Sequence, residues 1–144
     1  YVNIGFAANT EKGLMVPVIK NADQKSLKEI SQELVKLSED ARNGKIKLED
    51  LQGGTFTISS LGGFGGVGFT PIINPPEVAI LGVARAQIRP IMIKGKFLPR
   101  LILPLSLSYD HRVIDGVGGI QFTTALKQML ENPESFLPEE TSDG

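Results

Sequence analysis

The stretch Ser106-Leu107-Ser108-Tyr109-Asp110-His111-Arg112-Val113-Ile114-Asp115-Gly116 (SLSYDHRVIDG) is where an alternating, β-favouring run gives way to a charged loop. It carries the only histidine of the 144-residue chain. Loops held at the edge of a rigid scaffold are where reactive side chains are usually presented, because the strand fixes the backbone while the loop keeps the side chain accessible. A lone histidine is more often structural than catalytic, so the meaning of His111 depends on its neighbours.

Residues 100–109 (RLILPLSLSY) read as one strand running into that loop, and residues 86–93 as the strand before it, with Lys94-Gly95-Lys96 as the turn between them. Residues 77–83 (EVAILGV) and 55–60 (TFTISS) are further β-favouring runs, separated by a glycine-dense loop at residues 62–68. Downstream, Val117, Ile120, Phe122, Ala125, Leu126, Met129 and Leu130 follow helical spacing, and Asn132-Pro133 ends that helix. Residues 139–144 (EETSDG) read as a flexible tail.

The amino-terminal third is organised around a second helix. Ser26-Leu27-Lys28-Glu29 fits a capping box, in which the serine oxygen and the glutamate carboxylate each satisfy an otherwise unpaired first-turn N–H. Leu27, Ile30, Leu34, Leu37 and Ala41 then fall on one face, and Gly44 supplies the stop. Before it, residues 1–8 (YVNIGFAA) alternate like a strand, Asn9-Thr10-Glu11-Lys12-Gly13 is a turn cluster, and residues 14–19 (LMVPVI) form an edge or irregular strand because Pro17 removes a ladder donor. A strand at the first residue, with no leading turn, implies further residues upstream. With no repeat and no linker the expectation is one α+β unit.

Gly63-Phe64-Gly65-Gly66-Val67-Gly68 matches G-x-G-x-x-G after a strand, the pattern of a dinucleotide loop. That fingerprint needs a helix to open at the glycines so that its N-terminal N–H groups face the pyrophosphate. The chain instead continues Phe69-Thr70-Pro71-Ile72-Ile73-Asn74-Pro75-Pro76, and three prolines in six residues oppose a helix. The expected reading is a packed or flexible glycine loop.

Composition narrows the function. A 41% hydrophobic, 22% charged chain can bury a core, and a net charge of -1 from 15 basic and 16 acidic residues, without a basic cluster, disfavours nucleic acid. No cysteine exists to form a disulfide, a thiolate zinc site or an acyl-enzyme, and one histidine cannot build a multi-histidine metal site, so no metal is expected. No apolar run reaches the ~18 residues of a membrane span, so the chain reads as soluble.

The H-x-x-x-D-G pattern of His111 to Gly116 resembles the signature of the superfamily of dihydrolipoamide acyltransferases and chloramphenicol acetyltransferase. Three other blocks agree with dihydrolipoamide acyltransferase (E2) cores in the same order: residues 53–62 (GGTFTISSLG), 71–82 (PIINPPEVAILG) and 103–111 (LPLSLSYDH). The resemblance covers nearly the whole chain and is closest to the pyruvate-specific acetyltransferases. It implies an α+β fold with a chloramphenicol acetyltransferase-like mixed β-sheet and flanking helices, residues 1–138 being the C-terminal portion of a catalytic domain whose N-terminal part is missing.

For the site, the resemblance implies His111 as the base that takes the proton of the coenzyme A thiol as the sulfur attacks an acyl-dihydrolipoamide thioester. The chemistry is sound, because a thiol near ~8.5 is mostly protonated at neutral pH and a free imidazole near ~6.5 is mostly able to accept its proton. It implies Ser59 as the hydroxyl that supports the oxyanion, although Ser59 read alone merely continues a strand, and adjacent Ser60 must point to the opposite face. Asp115 has two readings: the N-cap of the second helix, or the loop-orienting carboxylate the family implies. The resemblance further implies coenzyme A as substrate, and a lipoyl group carried on a domain absent from this chain. It also implies a homotrimer with His111 and Ser59 contributed by different subunits, trimers building a larger core, E1 and E3 components docking through absent domains, and a bacterial cytoplasm or mitochondrial matrix. Against acetyl transfer stand a succinyl- or branched-chain-specific relative, transfer to an alcohol, and a non-catalytic core subunit.

Overall fold

A computed structural model describes residues 1–135; the tail predicted at residues 139–144 and the domain boundary at 138 lie outside the described residues. The chain divides into two compact units, Tyr1–Asp110 and a second that begins at His111.

The first unit is built on a five-stranded mixed sheet. Its strands, in chain order, are β1 (Ile4–Phe6), β4 (Val18–Ile19), β5 (Phe56–Ser60), β6 (Ala79–Val83) and β9 (Leu105–Tyr109), ordered β4-β1-β5-β6-β9 across the sheet. β1, β5 and β6 run parallel, and β4 and β9 close the two edges antiparallel. Two small hairpins accompany it, β2 (Ala8–Thr10) with β3 (Gly13–Met15), and β7 (Gln87–Ile93) with β8 (Lys96–Ile102).

Several expectations shift here. The strand predicted over residues 1–8 begins only at Ile4, and Ala8 already belongs to the next hairpin, whose turn is Glu11-Lys12 rather than the whole cluster from Asn9 to Gly13. Asn3, just before the strand, adds side-chain bonds to its backbone ones: its carbonyl accepts from the Thr55 N–H at 2.8 Å, and its side chain donates to the Gly53 carbonyl at 2.8 Å and accepts from the Asn21 N–H at 2.9 Å. The single run over residues 100–109 is two strands in different sheets, broken at Leu103-Pro104, where proline cannot donate to a ladder. Pro17 does mark an edge, since β4 is the outermost strand on its side. Lys94 and Gly95 both have positive φ, 48° and 78°, the backbone a two-residue hairpin turn requires.

The helix α1 (Leu27–Arg42) carries the capping box: the Ser26 hydroxyl accepts from Glu29 N–H at 3.3 Å and the Glu29 carboxylate accepts from Ser26 N–H at 2.7 Å. Gly44, with φ 67°, lies just past the C-cap Asn43. Leu37 and Ala41 are buried, whereas Leu27, in the first turn, and Leu34, both predicted for the same face, are exposed. α1 and one face of the sheet enclose an apolar groove of about 730 Å³, bordered by Ile4, Phe6, Ile58, Ile30 and Leu34.

The Glu29 carboxyl is held below the usual carboxylate range, first by the Ser26 backbone N–H and then by the Ser26 hydroxyl. A depressed carboxyl stabilises the fold above its unfolded pKa, and that contribution is lost as pH falls through the folded one. Separately, Ser26→Ala removes the N-cap oxygen, a loss that costs about 1 kcal/mol in helices generally. The advantage of wild type over Glu29→Gln shrinks on acidification below the usual glutamate range, as read by chemical unfolding at several pH values.

The second unit contains the helix α2 (Gly116–Glu131), C-capped at Asn132 as predicted, and a short 3-10 turn at Pro133–Ser135. Among the described residues no helix is long and apolar enough to cross a membrane.

Candidate active site

Strand register sorts the side chains of the sheet onto two faces, because residues paired across adjacent strands point the same way and neighbours along a strand alternate. Phe6, Ile58, Leu81 and Leu107 share the face that looks toward α1, and Ser60 lines the apolar groove there. The other face carries mostly small and polar residues, with Ile80 buried among them. Thr57, Ile80 and Ser108 form one row across it, and Ser59, Gly82 and Ser106 the next. Ser59 and Ser60 therefore point to opposite sides of β5, as the alternation requires.

Gly82 sits where any side chain would crowd its neighbours. A Cβ there would lie 3.0 Å from Phe69 Cζ and 3.1 Å from Pro71 Cδ, so the segment leaving the glycine loop crosses the sheet beside Ser59. No helix opens at the glycines; residues 69–78 run irregularly to β6. Phe69 and buried Pro71 thus wall the row that holds Ser59.

Glu77 reaches this face through Thr57. Thr57, 1% exposed, donates its hydroxyl to Glu77 Oε2 at 2.7 Å, and a Cβ at Gly54 would collide with Glu77 Oε1. Neither residue stood out in sequence, where both read as ordinary strand positions; the only available signal was a glutamate at the start of an otherwise apolar strand.

β9 delivers the chain to the histidine. The pairing of Ala79 with Tyr109 is extended one residue by the Asp110 N–H, which donates to the Val78 carbonyl at 2.8 Å. His111 follows in an exposed turn. Asp115 caps α2: its Oδ1 accepts from the Gly118 N–H at 2.7 Å. Of the predicted site residues, Ser59 stands in the first unit, and His111 and Asp115 flank a turn in the second.

Residues 1–137 match the family model for the 2-oxoacid dehydrogenases acyltransferase (catalytic domain). The chain belongs to that acyltransferase family. One relative is the dihydrolipoyllysine-residue acetyltransferase component of the pyruvate dehydrogenase complex of Cupriavidus necator, 58% identical over 130 residues, which are 90% of this chain and 24% of that protein. The acyltransferase fold is matched with a TM-score of 0.91 by two solved structures. One, 54% identical and covering 94% of this chain and 56% of the other, comes from work on the role of a serine, a histidine and an asparagine in the catalytic mechanism of Azotobacter vinelandii dihydrolipoamide acetyltransferase. The other, 53% identical with the same coverage, is the cubic core of the pyruvate dehydrogenase multienzyme complex. The chain spans about a quarter of the curated relative and just over half of the solved catalytic cores. The mixed α+β fold expected of an acyltransferase is the fold observed.

Proposed function

We propose that the protein to which these residues belong transfers an acetyl group between dihydrolipoamide and coenzyme A. His111 is the general base, Ser59 the oxyanion donor, and Asp115 the residue that fixes the turn between β9 and α2. The observation that carries this reading is the placement of Ser59 on the small, polar face of β5, walled by Phe69 and Pro71, together with an exposed His111 just past the end of β9. Intervals support it as well. In the Azotobacter protein the serine lies 52 positions before the histidine and the asparagine four after it, the intervals that separate Ser59, His111 and Asp115.

The chemistry balances without an acyl-enzyme. The thiol of coenzyme A gives its proton to the imidazole of His111 as its sulfur bonds to the thioester carbonyl carbon. The carbonyl oxygen becomes an oxyanion that accepts the Ser59 hydroxyl hydrogen bond. Collapse breaks the carbon–sulfur bond to lipoamide, and the leaving thiolate takes the proton back from the imidazolium. Asp115 acts on the backbone: aspartate and asparagine are about equally good N-caps, so a cap-and-orient role suits an aspartate here and an asparagine in the relative, whereas a proton relay suits only aspartate.

Residues 1–138 are the C-terminal portion of the catalytic domain in this reading. Coenzyme A enters as a substrate, and the lipoyl group arrives on a domain outside the chain. The unit of assembly is a homotrimer whose sites lie between subunits, trimers combining into a core that E1 and E3 components join. The likeness to a solved cubic core supports that assembly. The test offers the full-length protein dihydrolipoamide with acetyl-, succinyl- and isobutyryl-coenzyme A. Acetyl transfer is expected to be fastest; an assembled particle inactive with all three is a scaffold, and the proposal falls.

A further inference from the structure

Thr57 stands two residues before Ser59 on the same side of β5, and it is buried. Its hydroxyl is spent on Glu77 Oε2. Its neighbour across the sheet, Gly5, leaves the room the Thr57 side chain occupies, since a Cβ there would lie 2.7 Å from Thr57 Oγ1 and 2.9 Å from Val16 Cγ1. Glu77 is accommodated in the same way, its other oxygen lying where a side chain at Gly54 would be. The next residue, Val78, accepts the backbone N–H of Asp110, the residue that leads into His111. Two consecutive residues, Glu77 and Val78, thus hold the strand that carries Ser59 and the backbone that delivers His111.

We infer that Glu77 is a positioning residue: through Thr57 it fixes the direction of the Ser59 hydroxyl. The inference rests on the reading of Ser59 as oxyanion donor. An oxyanion donor works only when held within roughly 0.5 Å and 10–20° of the productive geometry, and it depends on neighbours whose own rotamers are locked. Thr57 supplies that lock from a buried position, and a carboxylate acceptor is among the stronger anchors available to a hydroxyl. Without the anchor Ser59 keeps its hydroxyl but loses its aim, so the loss appears in the chemical step and not in substrate binding.

The test is a double-mutant cycle in the full-length assembled protein, read as kcat and KM for coenzyme A, with particle assembly as the control on folding. Thr57→Val is expected to lower kcat about tenfold with KM within twofold, and Thr57→Ser to restore it. Glu77→Gln, which keeps an acceptor oxygen, stays near wild type, and Glu77→Met behaves as Thr57→Val, serving in its place if that variant does not assemble. In a Ser59→Ala background the disrupting variant costs less than twofold more, because the group it aims has gone. An equal loss in both backgrounds means Thr57 and Glu77 only stabilise the strand, and the inference is overturned; so does a wild-type rate for both disrupting variants. A wild-type rate for Ser59→Ala alone removes the oxyanion reading itself, and the inference goes with it.

Discussion

His111→Ala is expected to lower acyl transfer at neutral pH by about 10²–10⁴-fold, the usual worth of a positioned general base. The size of the loss follows from the nucleophile. A thiol with a pKa near ~8.5 is a few per cent thiolate at pH 7, and without a base only that fraction attacks. The deficit should therefore depend on pH in a defined direction: the variant's rate rises about tenfold per pH unit as the free thiolate accumulates, flattening above ~8.5, so the gap to wild type narrows in alkali. Initial rates of the full-length variant across pH 6.5 to 9 in roughly half-unit steps check this. A variant within threefold of wild type, or one whose deficit stays constant with pH, removes His111 from the proton-transfer step.

His111 stood out as a candidate because it is unique in the chain and because a β-run stops just before it; that strand end is where the structure has it, with β9 ending at Tyr109 and the turn beginning at His111. α1 was legible for a local reason as well, since a capping box and a glycine stop are written within one or two turns of the residues they serve. What alternation and periodicity do not encode is which element covers which. Residues 100–109 look continuous by hydrophobicity, yet Pro104 divides them between two sheets. Ile88, Phe97 and Leu101 look like core residues in a strand pattern, yet they lie on one side of the β7–β8 ribbon and are 74%, 68% and 72% exposed. The Thr57–Glu77 contact joins positions twenty residues apart across an irregular segment, and only the folded path over Gly82 brings them together. Local chemistry predicts elements; long-range contacts of this kind are set by the backbone route, which sequence pattern leaves open.

The choice between Ser59 and Ser60 is where strand geometry and catalysis meet, and it yields the sharpest contrast. Ser59→Ala is expected to reduce turnover by about 10²–10³-fold, the cost of one oxyanion donor, with kcat and kcat/KM falling together because the oxyanion exists only in the transition state. Unlike the histidine variant it should show no recovery in alkali, since a more abundant thiolate does nothing for the charge that develops on the carbonyl oxygen. Ser60→Ala takes a hydroxyl from the wall of an apolar groove bordered by Phe6 and Ile58 on the far face, and turnover should stay within about threefold of wild type, as expected for a substitution away from the reacting atoms. A single-turnover acyl-transfer assay compares the two directly, free of any contribution from product release. Equal rates for the two variants would mean that the polar face of β5 does not meet the acyl group, and the oxyanion donor would then have to be sought elsewhere on the chain.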